Sequence, residues 1–244
     1  MRAEMVDFYR RGDDVGRYVV EHETRRRVMA GFHRAFRPHL GRVVLDVACG
    51  GGILGAILEP HGHRYVGVDI NPDMIRAGKE WARANGSRNR FVLGDAATVE
   101  LSGRFDTVTL LGNASCHIEP VKLGAILRNL ARHLRRDATF VIDYRDVVEM
   151  LDARQWRRRA VERRNGRVTR FEATECDTVR GSMVASYRPD GDRRVAEFRH
   201  AIWSPFIMSA LLEGAGWRLL ARKRLAATTW LWTDAYVRAP RDAR

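Results

Sequence analysis

The chain has 244 residues, 45% of them hydrophobic and 30% charged, enough apolar material for a sizeable core and too much for a mainly disordered chain. Lys and Arg number 43 against 30 Asp and Glu, a formal charge of +13, yet only Lys79, Lys122 and Lys223 are lysines, a bias that points to overall composition rather than to a nucleic-acid footprint. Three cysteines, Cys49, Cys116 and Cys176, exclude a disulfide framework or a zinc knuckle, and no apolar stretch reaches the roughly 20 residues that span a bilayer. These features lead us to expect a cytoplasmic protein with a small-molecule partner, neither nucleic acid nor membrane among its ligands, no metal, and self-assembly left open.

In chain order, Val28, Met29, Phe32 and Phe36 recur at helical spacing from about Glu21 to Arg37, and Pro38 and Gly41 stop the pattern. Arg42 to Val47 reads as a buried strand, Gly50-Gly51-Gly52 as a tight turn, and Ile53 to Leu58 as the start of a helix. The order repeats with a strand at Tyr65 to Asp69 and a helix from Pro72 to about Asn85, capped by Asn71. Strands follow at Arg90 to Leu93, Phe105 to Leu110 and Thr139 to Asp143, with a helix at about Val121 to Leu134. Strands alternating with helices in this way call for a parallel sheet covered on both faces.

From about Arg157 the texture changes. Arg167 to Ala173, Thr178 to Tyr187 and Arg194 to Trp203 read as antiparallel strands, separated by turn chemistry at Asn165-Gly166 and Pro189 to Asp192. Ser204 then caps a helix, and Trp217 to Lys223 and Thr228 to Val237 close the unit. The division expected is a helical lid over 1–40, an α/β core over 41–155 and 204–244, and an inserted antiparallel β cap over 156–203.

Gly50, Gly52 and Gly55 fit G-x-G-x-x-G between a strand and a helix, and Asp69 ends the next strand 19 residues after Gly50. Glycines let backbone approach a ligand, the helix start offers N–H groups, and an acid ending the second strand can accept both hydroxyls of a ribose. A dinucleotide and S-adenosylmethionine both satisfy that pattern. Asp46 favours the second, because a carboxylate beside the glycine turn repels a pyrophosphate and tolerates an ammonium and a sulfonium.

Val44 to Gly52 and Val66 to Met74 resemble the first two motifs of class I S-adenosylmethionine-dependent methyltransferases, and Gly94-Asp95-Ala96 resembles the third. The resemblance implies a Rossmann-like seven-stranded sheet with helices on both faces plus the inserted β cap. It implies S-adenosylmethionine as cofactor, with S-adenosylhomocysteine as product. In it Asp46, Ala48, Gly50 and Gly52 wrap the methionine part, Asp69 holds the ribose, Ile70 and Met74 flank the adenine, and Asp95 and Ala96 meet its amine. Ala48 stands where glycine is frequent.

Leu111-Gly112-Asn113-Ala114-Ser115-Cys116-His117 and Ile142-Asp143-Tyr144-Arg145 follow the fourth and fifth strands, at the carboxyl ends that line a ligand crevice. Together they resemble the glycine and sarcosine N-methyltransferase branch and the amino-sugar N-methyltransferases that share inserted hairpins. The resemblance implies Leu111 and Gly112 beside the donor, His117 closing its pocket, Asn113 or Tyr144 accepting a hydrogen bond from the attacking amine, and Arg145 gripping a carboxylate. It also implies a tyrosine, Tyr9, and an arginine, Arg27 by spacing among Arg25 to Arg27, at the donor. Trp203, Trp230 and Trp232 suggest a more aromatic cavity than glycine requires. The function expected is methyl transfer to the amine of an amino acid or amino sugar. A small-molecule O-methyltransferase, an RNA methyltransferase and an NAD-dependent oxidoreductase remain open alternatives.

Overall fold

The computed structural model describes residues 19–20, 22–153, 160–164, 167–189, 196–226 and 231–239. Tyr9 and Trp230, the turn at Asn165-Gly166 and the segment after Pro189 lie outside the described residues.

Helix α1 (Glu23–Phe36) leads into β1 (Val43–Val47), α2 (Ile53–Leu58), β2 (Arg64–Asp69), α3 (Pro72–Ala84), β3 (Arg90–Leu93) and β4 (Phe105–Leu110). A 3₁₀ turn at Ala114–His117 precedes α4 (Pro120–Leu130), β5 (Leu134–Arg145) and the short α5 (Val147–Asp152). Four strands follow, β6 (Ala160–Arg164), β7 (Arg167–Asp177), β8 (Ser182–Pro189) and β9 (Ala196–Ala201). Helix α6 (Pro205–Gly214) and strands β10 (Trp217–Ala226) and β11 (Leu231–Arg238) complete the chain. Strand β5 extends well beyond the Thr139 to Asp143 core expected, and β6 is an additional strand that arginine-rich sequence concealed.

The main sheet has seven strands in the order β10-β11-β5-β4-β1-β2-β3, and only β11 runs antiparallel to its neighbours. Strand β1 lies between β2 and β4, so the chain order reverses there and a crevice opens at the carboxyl ends of β1 and β4. The remaining strands form a separate four-stranded antiparallel sheet, β6-β7-β8-β9.

The period of two sends alternate strand residues to opposite layers. Leu45, Val47, Phe140, Ile142 and Tyr144 pack with Leu123, Ile126 and Leu130 of α4 and Met208 and Leu212 of α6. Val44 and Val141 pack on the other face, with Met29, Phe32 and Phe36 of α1 and Ile53, Leu54 and Leu58 of α2. Caps fix where the helices begin: Asn71 Oδ1 accepts the Asp73 N–H, and Ser204 Oγ accepts the Ile207 N–H. No described helix is long and apolar enough to cross a membrane.

Candidate active site

The turn after β1 is left-handed at Ala48 (φ 55°), Gly50 (φ 55°) and Gly52 (φ 87°). A conformation that favours glycine explains why Ala48 is the one strained substitution in the motif. A Cβ on Gly52 would stand 2.4 Å from Phe91 Cε1, and one on Gly55 2.6 Å from Tyr65, so these two glycines serve helix-to-sheet packing. Gly50 is the glycine tied to the acid, its N–H donating to Asp69 Oδ2 at 2.8 Å, while the Gly52 N–H closes the turn on the Cys49 carbonyl at 3.1 Å.

Asp69 also accepts the Asn71 N–H at 2.8 Å, so this carboxylate stitches the glycine turn to the start of α3. Burial raises its pKa, and the amide hydrogen bonds from Asn71, Gly50 and Ile70 oppose the rise. Three amides on a carboxylate with about four lone-pair sites still leave it able to accept a hydroxyl.

Asp46 is buried, and its oxygens accept the hydroxyls of Thr109 at 2.6 Å and Tyr65 at 2.8 Å. Burial, only partly offset by those two hydroxyls, pushes its pKa up to about 7. Ile70 is half-buried and Met74 buried at the start of α3. Asp95 accepts the Ala97 N–H at 2.9 Å and pairs with Lys122 Nζ at 2.6 Å, while Ala96 belongs to the core and its carbonyl accepts Asn129 Nδ2.

Across the crevice, Leu111 is buried against the α1 layer, and Gly112 (φ 78°) and Asn113 (φ 62°) form a second left-handed pair. Asp143, on β5, accepts the N–H of Gly112 at 2.9 Å and of Asn113 at 2.7 Å. Burial raises the Asp143 pKa to about 6, against the pull of those amides and of Arg25 and Arg145. The next turn is fastened as well: Ser115 Oγ donates to the Asp143 carbonyl, and the Trp203 indole donates to the Ser115 carbonyl at 2.9 Å. Trp203 is thus a core residue that ties this turn down, and Trp232 lies under the Arg224 guanidinium. Trp203, at 1% exposure, is therefore not part of the aromatic cavity wall expected.

Arg145 is exposed at the end of β5, and among the described residues it makes no ion pair. Its acidic neighbours are engaged elsewhere, Asp143 with the Gly112 and Asn113 amides and Asp146 with the Glu149 N–H. His117 sits edge-on to Phe198 and His200 of β9, with ring centres 6.3 and 5.1 Å apart, so the second sheet covers this side of the crevice. Burial lowers the His117 pKa to about 4 and, with nearby positive groups, that of His200 to about 3, leaving both imidazoles neutral near pH 7.

Two expected residues stand elsewhere. Tyr144 lies between Asp143 and Arg145, and the alternation of the strand turns it to the opposite layer, where its hydroxyl donates to Asp234 Oδ2 at 2.8 Å. Arg222 grips the same carboxylate through two nitrogens at 2.8 Å and Tyr236 adds a third donor, so Tyr144 is committed to a buried network. Arg27 is exposed on α1 and pairs with Glu23, whereas Arg25, two residues earlier, brings a guanidinium nitrogen within 3.8 Å of where a Cβ on Gly112 would be. Helical phase decides this: residues two apart on a helix face different directions.

Thr109, Tyr65, Asp143, Arg25 and His200 are contributors that residue spacing did not single out. Asp143 carries a signal as an acid closing an apolar strand, and Arg25 one as a member of the Arg25 to Arg27 run. The residues present suit a polar ligand that joins the two sides of the crevice. Asn71 Nδ2 beside Asp69 and Asn113 Oδ1 beside Gly112 are buried polar atoms without a hydrogen-bond partner among the described residues.

Residues 44–137 match the family model described as a methyltransferase domain. The chain is 34% identical over 96 residues to the ribosomal protein L11 methyltransferase of Thermus thermophilus, covering 39% of this chain and 37% of that one. It is 32% identical over 131 residues to glycine N-methyltransferase of Oryctolagus cuniculus, covering 47% and 44%. The matched region therefore spans less than half the length of these curated relatives. Among solved structures, an S-adenosylmethionine-dependent methyltransferase from Clostridium acetobutylicum superposes with a TM-score of 0.72 at 17% identity, covering 97% of this chain and 98% of that one. An amino pentose methyltransferase from Micromonospora echinaspora superposes with a TM-score of 0.61 at 18% identity, covering 98% of each.

Proposed function

We propose that this chain, which carries a class I S-adenosylmethionine-dependent methyltransferase domain, moves the donor's methyl group to the amine of a small carboxylate-bearing acceptor, an amino acid or an amino sugar acid. The donor supplies a methyl group on a positively charged sulfur, open to in-line attack. Asp69 takes the ribose hydroxyls with its remaining lone pairs, Asp46 and the Ala48 to Gly52 turn surround the amino acid end, and Asp95, Ile70 and Met74 border the base. Residues 1–40 and 156–203 serve as lid and cap.

The observation that carries the acceptor class is Arg145, a guanidinium at the mouth of the crevice with no ion pair among the described residues and with both flanking acids occupied. Its planar fork suits a carboxylate, with two parallel charge-assisted hydrogen bonds. Asn113 Oδ1, without a partner among the described residues, accepts an N–H of the neutral amine and so aims its lone pair. His117 borders the same space, with its pKa lowered by burial to about 4. Positioning of this kind supplies on the order of 7 to 11 kcal/mol of a bimolecular barrier, so no covalent nucleophile is required. Glycine N-methyltransferase, amine-directed by name, supports the same reading.

The test is Arg145→Ala. The KM of the acceptor rises by about a hundredfold, the worth of a charge-assisted pair, while affinity for the donor stays within about twofold. An unchanged acceptor KM rejects the carboxylate role.

A further inference from the structure

The sulfur of Cys116 and one nitrogen each of His117 and His200 lie within 4.8 Å of one another, in a cluster that methyl transfer leaves partly unused. We propose that Cys116, His117 and His200 bind a borderline-soft divalent cation, zinc above all, at the acceptor side of the crevice.

The donor set is the first argument. One thiolate and two imidazoles select zinc and its neighbours over magnesium or calcium, which take oxygen ligands. Ring geometry is the second. Two imidazoles bound at about 2.0 to 2.1 Å to one tetrahedral ion place their ring centres about 5 Å apart. The His117 and His200 centres are 5.1 Å apart with the rings 83° from coplanar.

Rigidity is the third argument, because donors that are already held lose little freedom on binding. Cys116 and His117 belong to the 3₁₀ turn that Asp143, Ser115 and Trp203 fasten from both sides, and His200 sits on β9, paired with Met183 of β8.

Burial raises the Cys116 thiol pKa to about 12, with Arg145 and Asp143 acting on it in opposite directions, so the ion itself has to displace the proton. The step balances simply: the S–H bond breaks, its proton goes to solvent, and the sulfur pair bonds the cation, with no change of oxidation state. Three protein donors leave a tetrahedral ion one further position. Binding of the ion is independent of methyl transfer; only use of that fourth position by the acceptor's heteroatom rests on the function proposed above.

The experiment uses the full chain stripped of metal and titrated with Co²⁺ as an optical stand-in for zinc. The expected result is a thiolate-to-cobalt charge-transfer band with the intense visible bands of a tetrahedral ion, saturating at one equivalent and displaced by Zn²⁺. Cys116→Ser abolishes the charge-transfer band, His200→Ala weakens binding by at least about tenfold, and Cys49→Ser and Cys176→Ser leave the spectrum unchanged. Should Cys116→Ser fail to fold, X-ray absorption on the zinc-loaded wild-type chain decides, one sulfur and two imidazoles being the expected shell. A chain that stays colourless at one equivalent, a band that follows Cys49 or Cys176, or a shell without sulfur overturns the site. Metal binding with no methyl transfer would sink the functional reading instead and leave the site standing.

Discussion

Asp143 accepts the backbone N–H of Asn113 at 2.7 Å, and with the neighbouring Gly112 N–H at 2.9 Å this single carboxylate holds two consecutive residues in left-handed conformation. The acceptor side of the crevice is therefore organised from β5, one strand over from the residues it presents.

Two substitutions separate this backbone role from the side chain it displays. Asp143→Asn leaves one amide facing a carboxamide nitrogen and costs about 2 to 3 kcal/mol in urea unfolding, as expected for charge-assisted bonds to a buried group. Asn113→Gly takes the φ of 62° freely and keeps stability within about 1 kcal/mol, while kcat falls by about tenfold or more because Oδ1 is gone.

Arg25 and Arg27 give a second contrast. With its guanidinium beside Gly112 and Asp143, Arg25→Ala weakens binding of S-adenosylhomocysteine by about tenfold or more in calorimetry. Arg27→Ala, which removes an exposed pair with Glu23, changes it by less than about twofold.

Tyr144→Phe tests whether this tyrosine belongs to the chemistry. Its hydroxyl is one of several donors on Asp234, so the substitution costs about 1 kcal/mol of stability and leaves kcat and KM unaltered. Asp234→Ala strands the half-buried Arg222 guanidinium and the buried hydroxyls of Tyr144 and Tyr236, and costs about 2 to 3 kcal/mol. A loss of kcat in a folded Tyr144→Phe chain would return the tyrosine to the active site.

Asp46 predicts a pH dependence. Its pKa is held at about 7 in the folded chain against an ordinary 3.8, so between those values the folded state binds the extra proton. The stability this contributes is full below about pH 4 and is lost as the pH rises through 7. Removing the titration, Asp46→Asn shifts the unfolding free-energy difference in favour of the variant from pH 4 to 7 by about 1.4 kcal/mol per unit at most, and the difference is flat above pH 8. A difference that does not change over that range contradicts the buried, largely protonated carboxyl.

Much of this architecture was legible in the residues because periodicity and caps are local. The alternation at Val44 to Val47, the Asn71 and Ser204 caps and the glycine turn all follow from neighbours in sequence. Contacts made across strands were not legible. Nothing near Asp46 announces Thr109 and Tyr65 as its partners, which meet it only through the parallel register of β1 with β4 and β2. Strand phase carries Tyr144 to the Asp234 network, and helix phase sets Arg25 rather than Arg27 beside Gly112, and neither phase can be read from spacing alone. His200 comes from the separate sheet, so no motif spacing could connect it to His117.

Whether the crevice between β1 and β4 receives the methyl donor is read by isothermal titration of the purified chain with S-adenosylhomocysteine and, separately, NADH. The expected result is one site for S-adenosylhomocysteine with micromolar or tighter affinity, weakened by about tenfold or more in Asp69→Ala, and no heat from NADH. Binding of NADH, or S-adenosylhomocysteine affinity indifferent to Asp69, would contradict it.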